Sequence, residues 1–163
     1  MSNPVRVKIC GVTNQQLMQD VGNAGAQYAG LVFFEKSPRC LTLQKARSIA
    51  IEAPTGLAKV ALAVNPSDSF LDSLITEEPL DMIQLHGNET PKRCKEIKTN
   101  FDIPIIKGLG IKNKLDVIKA NENFENVCDI LLLDSASTTL PGGNGKKFDW
   151  KVLENYNPKK KWM

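Results

Sequence analysis

The feature that most constrains this chain is one pattern repeated along it: a short β-branched run, a turn, then a polar stretch with helical spacing. The runs read as strands are Val5–Cys10, Tyr28–Phe33, Ala58–Val64, Met82–Leu85, Ile103–Lys107 and Ile130–Asp134. The intervening segments place apolar residues three or four apart, as Leu17 and Val21 do in Gln15–Ala24, which is the helical period. Leu43–Ala53, Pro66–Ile75, Thr90–Thr99 and Lys112–Ala120 are the other helical stretches. Several open on helix-start residues, among them Thr42, Asn65-Pro66-Ser67 and Thr90-Pro91. Strands alternating with helices imply parallel βα units. Two architectures satisfy that rule, an open doubly wound sheet and a TIM-type barrel. The regular spacing favours the barrel. The fold class expected is therefore α/β, of (βα)8 TIM-barrel type, with about six βα units and, at Lys161-Trp162-Met163, the start of a seventh strand.

Length and charge narrow the function classes. The chain has 163 residues, which suits one domain, whereas an eight-unit barrel at this spacing needs roughly 200. A single, incomplete βα-barrel domain over 1–163 is the expectation. A net charge of +3 with scattered basic residues argues against a nucleic-acid or membrane-surface partner. No apolar run approaches the ~20 residues of a membrane span, and residues 1–5 do not read as a signal peptide, so a cytoplasmic location is expected. The cysteines Cys10, Cys40, Cys94 and Cys128 are widely spaced with no CxxC pair. They read as free thiols rather than as a zinc site.

In parallel α/β folds function collects at the C-terminal ends of strands. By the period of two, Lys8 and Cys10 share one face of the first strand, and Gln84 and His86 one face of the fourth. The fifth strand ends on Lys107 and the sixth on Asp134. A thiol, an imidazole, a carboxylate and ammonium groups at strand tips make an acid/base site with no recognisable metal-ligand spacing. Each also has a bland reading: Cys10 as a small buried hydrophobe, Asp134 as a cap of the next helix, His86 as a structural histidine. The glycine-rich stretch Gly142-Gly143-Asn144-Gly145-Lys146 offers backbone N–H groups to phosphate, a hinged lid, or a plain surface loop. It is not a Walker A loop, because GxxxxGK[ST] is absent.

These residues carry a family resemblance through nearly all of the chain. Lys8-Ile9-Cys10-Gly11-Val12-Thr13, Ala29-Gly30-Leu31-Val32-Phe33 with Ser37-Pro38-Arg39, Gln84-Leu85-His86-Gly87, and Leu132-Leu133-Asp134-Ser135 with Gly142 to Lys146 and Phe148-Asp149-Trp150 follow in order. Together they resemble the motifs of phosphoribosylanthranilate isomerase, a cofactor-free barrel enzyme of tryptophan biosynthesis. The resemblance implies an Amadori rearrangement of N-(5-phosphoribosyl)anthranilate to 1-(2-carboxyphenylamino)-1-deoxyribulose 5-phosphate. It implies Asp134 as general acid, Cys10 as general base and Arg39 as partner of the anthranilate carboxylate, with Lys8, Gln84, His86, Gly142 and Gly143 binding substrate. No metal or organic cofactor is implied, and the state is a monomer or a homodimer. To act as an acid at neutral pH, Asp134 is expected to have its pKa raised by burial. The family's phosphate site is expected beyond Met163, in the loops after strands seven and eight. A second reading follows from that: a non-catalytic barrel piece that needs a partner chain to complete it. A third, another barrel enzyme on a phosphorylated sugar, fits the strand motifs less well.

Overall fold

In the computed structural model, residues 5–136, 147–158 and 160–163 are described. The strands are β1 (Lys8–Cys10), β2 (Tyr28–Phe33), β3 (Ala58–Ala63), β4 (Met82–Leu85), β5 (Ile105–Ile111), β6 (Ile130–Ser135) and β7 (Lys161–Trp162). The helices are α1 (Gln15–Asn23), α2 (Leu43–Ala50), α3 (Asp68–Glu77), α4 (Pro91–Phe101) and α5 (Lys114–Phe124), with a 3₁₀ turn at Trp150–Leu153. Each α-helix begins where a polar side chain takes up an otherwise unpaired N–H group. Asn14, Thr42, Ser67, Thr90 and Asn113 accept from Leu17, Lys45, Phe70, Arg93 and Asp116 respectively. Asp116 returns a bond to Asn113, completing a capping box. No helix among the described residues is long and apolar enough to cross a membrane.

The residues group into two compact units, Met1–Ile83 and Gln84–Met163, the division falling within β4. In the first unit β1, β2 and β3 pair in parallel, with Cys10 opposite Gly30 and Gly30 opposite Val60. The run YAGLVF of β2 is buried almost throughout, as expected of a strand in a parallel sheet. Its Ala29 and Leu31 pack with Met18 and Val21 of α1 and Ala46 and Ile49 of α2. Each large apolar side chain sealed in this way stabilises the unit by roughly 1.5–3 kcal/mol. In the second unit β5, β6 and β7 pair in parallel, with Lys107 opposite Leu131 and Leu131 opposite Trp162. Ile111, Val117 and Ala120 form a core there, against Leu133, Phe148 and Tyr156.

One device recurs and was not read from the sequence. The residue just before β2, β4 and β6 is Gln27, Asp81 or Asp129. In each case its own N–H donates to a carbonyl of the preceding strand segment, and its side chain accepts that same residue's N–H. Gln27 pairs so with Val7 (3.0 and 2.8 Å), Asp81 with Lys59 (2.9 and 2.7 Å) and Asp129 with Ile105 (2.8 and 2.8 Å). Lys59 and Lys98 add ammonium contacts to the two aspartates at 2.8 and 2.6 Å. Every second strand is thus locked in register at its entry by a reciprocal pair of bonds.

Two strand expectations need correction. β1 begins at Lys8, not Val5, because Val5–Val7 makes no ladder beyond the lock at Val7. The fifth strand does not run from Ile103 to Lys107; β5 spans Ile105–Ile111 and passes through both glycines. Gly108 and Gly110 mark close approach rather than chain reversal. A Cβ at Gly108 would lie 2.8 Å from the His86 ring, and one at Gly110 would lie 3.2 Å from Ala136. Lys107 is therefore mid-strand and sealed, with 1% exposure, and is not a group at the strand tip.

Candidate active site

In the first unit β1 and β2 bring three of the expected residues together. Lys8 and Cys10 lie on one face, as the alternation required, and both side chains reach over Gly30 of β2. A Cβ built there would meet Lys8 Nζ at 2.9 Å and Cys10 Sγ at 3.0 Å. The missing side chain thus leaves room for an ammonium and a thiol to lie side by side. Gly11 then turns the chain with φ +88, a conformation side chains disfavour. The Gly11 and Val12 N–H groups both donate to the Gly30 carbonyl, at 2.8 and 3.0 Å. Arg39, on the loop after β2, lies across that turn: its Cδ would be 2.5 Å from a Gly11 Cβ, and its Nη1 donates to the Cys10 carbonyl at 2.9 Å. The guanidinium is otherwise exposed, with donors free for a carboxylate.

In the second unit Gln84 and His86, two residues apart at the end of β4, meet Asp134 near the end of β6. Gln84 Nε2 and His86 Nδ1 are 2.6 Å apart, and His86 Nε2 lies 3.5 Å from Asp134 Oδ2. The His86 ring rests in the space above Gly108. Asp134 Oδ1 accepts the Ser135 N–H at 2.8 Å. The His86 contact holds the Asp134 carboxyl below the usual aspartate range, the Ser135 N–H adds to it, and partial burial opposes both. The expectation of a raised pKa is thus overturned. Burial is present, but hydrogen bonds to the charged form outweigh it.

Behind this group lies a second feature. The Lys107 ammonium donates to the carbonyls of Gly87 and Gly108 and to Glu89 Oε2, each at 2.9 Å, and more distantly to Leu85. Glu89 in turn accepts the Gly87 N–H. The pair is almost wholly buried and pins the turn that carries His86. Sequence reasoning missed Glu89, since nothing in Gly87-Asn88-Glu89 distinguishes it from a surface turn. It also missed the role of Gly30 and Gly108, which shows only in the side chains that fill the space above each. Gly142 and Gly143 lie outside the described residues. Among the described residues no group of three or more histidine, cysteine or acidic side chains could hold a metal ion.

Residues 7–163 match the family described as N-(5'-phosphoribosyl)anthranilate (PRA) isomerase. The chain is 41% identical over 162 residues to an N-(5'-phosphoribosyl)anthranilate isomerase of Cereibacter sphaeroides, covering 98% of this chain and 76% of that protein. The phosphoribosyl anthranilate isomerase of Thermotoga maritima superposes with a TM-score of 0.78 at 33% identity, over 92% of this chain and 70% of that one. A phosphoribosyl anthranilate isomerase solved with reduced 1-(o-carboxyphenylamino)-1-deoxyribulose 5-phosphate gives a TM-score of 0.76 at 31% identity, over 94% and 70%. The fold class is accordingly α/β of (βα)8 TIM-barrel type.

Proposed function

The chain belongs to the N-(5'-phosphoribosyl)anthranilate isomerase family, and from that premise we propose which of its residues perform the isomerisation. The substrate is a small phosphorylated sugar bearing an anthranilate, and the reaction is an intramolecular rearrangement from aldose to ketose. Asp134 supplies the proton that the ribose ring oxygen takes up as the ring C–O bond breaks. Cys10 removes the C2 proton from the Schiff base so formed. Arg39 pairs with the anthranilate carboxylate, and Lys8 offers a counter-charge to the sulfur or to substrate. His86, Gln84, Gly142 and Gly143 complete the substrate-side set.

The observation that carries this reading is the placing of Lys8 Nζ and Cys10 Sγ over one glycine, with the Arg39 guanidinium bonded to the Cys10 carbonyl. A base that works as an anion needs a cation near it, and a benzoate needs a fork of N–H donors close to the reacting carbon. The reading requires no partner beyond the substrate and is compatible with a monomer or a homodimer. A cytoplasmic setting suits its four free thiols.

Steady-state kinetics of three variants test it. Cys10→Ala and Asp134→Asn each lose about 10²–10⁴-fold in kcat with little change in KM, the size of a general acid/base contribution. Arg39→Ala raises KM instead. Turnover near wild type in Cys10→Ala or Asp134→Asn rejects the role assigned to that residue.

A further inference from the structure

We infer that His86 is the proton carrier that loads Asp134, and that Gln84 is a positioning residue whose amide accommodates both protonation states of the His86 ring. The inference rests on the assignment of Asp134 as the acid. It begins from a mismatch: an acid must hold a proton, yet Asp134 is held in its ionised form by the side chain beside it. His86 Nε2, 3.5 Å from Asp134 Oδ2, is placed to supply one.

Gln84 shows how the ring can gain and lose that proton in place. Its amide nitrogen faces His86 Nδ1 at 2.6 Å, while its oxygen is buried with no hydrogen-bond partner. With the NH₂ group facing it, Nδ1 carries a lone pair. The neutral ring then keeps its one hydrogen on Nε2, against the Asp134 carboxylate. A half-turn of the amide presents the carbonyl to Nδ1, which now carries a hydrogen. In that state one further proton lies between Nε2 and Oδ2. It sits on the ring as imidazolium facing carboxylate, or on Asp134 as O–H facing an Nε2 lone pair. Only this second state can protonate the sugar. Transfer runs from Nε2 to Oδ2 and from Asp134 to the ring oxygen, which keeps the electron pair of the broken C–O bond. His86 is left neutral with its hydrogen on Nδ1 and takes a new proton from solvent.

The surroundings favour this use of the ring. β5 meets it with Gly108, which has no side chain to restrict it. Among the described residues of this unit, the charged groups near His86 are Asp134 on β6 and the Lys107–Glu89 pair on β5 and the turn after β4. That pair is satisfied within itself and by backbone carbonyls.

His86 is the sole histidine, so its ring nitrogens can be followed alone by ¹⁵N NMR across a pH titration, beside the kcat–pH profile. Above the titration midpoint the hydrogen is expected on Nε2, and the basic limb of kcat coincides with that midpoint. Gln84→Glu, whose carboxylate can only accept from Nδ1–H, moves both to higher pH by about one unit. Gln84→Met, with no bond to offer, lowers kcat by a larger factor than it raises KM. A neutral ring protonated on Nδ1 in the wild-type spectrum overturns the role given to the Gln84 amide, and a kcat limb that ignores Gln84→Glu overturns the relay. Asp134→Asn separates the two readings: retained turnover removes the acid assignment, whereas lost turnover with an unmoved limb leaves the acid in place and removes only the relay.

Discussion

Glu78 closes α3 with a carboxylate whose charge has no outlet. The residue is 5% exposed and neither side-chain oxygen has a hydrogen-bond partner. It stands at a helix C-terminus, where negative charge is unfavourable. Burial raises its pKa, Arg47 opposes the rise, and Glu77 adds to it. A carboxyl raised in the folded state favours folding while protonated. Its contribution is therefore complete below the ordinary glutamate range and is lost as pH rises through the folded-state value. Near neutral pH the charge is a cost. Glu78→Gln is expected to raise stability at pH 7 by roughly 1 kcal/mol, the difference between an unsatisfied charged and neutral group, and to leave it unchanged near pH 4. Urea melts at the two pH values measure this; an equal effect at both would show the carboxylate is not stranded. Residues of this kind are the least legible in sequence. Lys8 and Cys10 were placed on one face because alternation alone decides it. Gln84 and His86 followed by the same rule, and Asp134 stood out after an apolar run. The stranded carboxylate of Glu78 and the lowered pKa of Asp134 depend on neighbours from distant segments, which no local pattern encodes.

Among the elements, β5 shows where local reading stops. The sequence pattern ends the fifth strand on Lys107, yet the ladder with β6 continues from Ile106 opposite Ile130, through Gly108 and Gly110, to Ile111 opposite Ser135. Glycine breaks a strand only where nothing holds it, and here the glycines admit the His86 ring and Ala136. Extending the strand buries Lys107, and burying an ammonium demands a partner. Glu89 supplies it, with Phe124 adding a ring face 5.8 Å from Nζ. A buried pair of this kind adds little net stability, but breaking it leaves one charge stranded. Lys107→Met and Glu89→Gln are each expected to cost about 3–5 kcal/mol. Lys107→Met combined with Glu89→Leu should recover most of that loss. Denaturant unfolding of the three variants checks it, and additive losses in the double variant would mean the two groups act separately. Helix starts, by contrast, were readable to within a residue or two at Thr42, Ser67 and Thr90, because a cap satisfies the backbone of its own turn.

At the scale of the whole molecule, the alternation of strand and helix was legible from β1 to β6, since each of these βα units repeats one hydrophobic pattern. The locks before β2, β4 and β6 were not. Glutamine and aspartate at a strand entry look like ordinary turn residues until the neighbouring backbone is in place. The four cysteines offer a reading of packing in each compact unit, two in the first and two in the second. Cys40 is exposed and Cys10 half-buried, whereas Cys94 and Cys128 are fully buried. Burial pushes the Cys94 thiol up to about 11 against the pull of Lys107, and Cys128 likewise up to about 11. Thiol reagents attack the thiolate and need access to it. Near pH 8 the native chain is therefore expected to release two equivalents from a chromogenic disulfide ahead of the rest, from the accessible Cys10 and Cys40, with Cys40 slowed because partial burial and Glu35 push its thiol pKa up. The other two react only as fast as the second unit opens, and all four react at once in strong denaturant. Mass mapping of the labelled peptides assigns them. Prompt native labelling of Cys94 or Cys128 would mean that α4 and the segment leading into β6 are not sealed. The Lys107–Glu89 pair, which contributes to the electrostatics at Cys94, would then be open to water and could not hold the His86 turn as described.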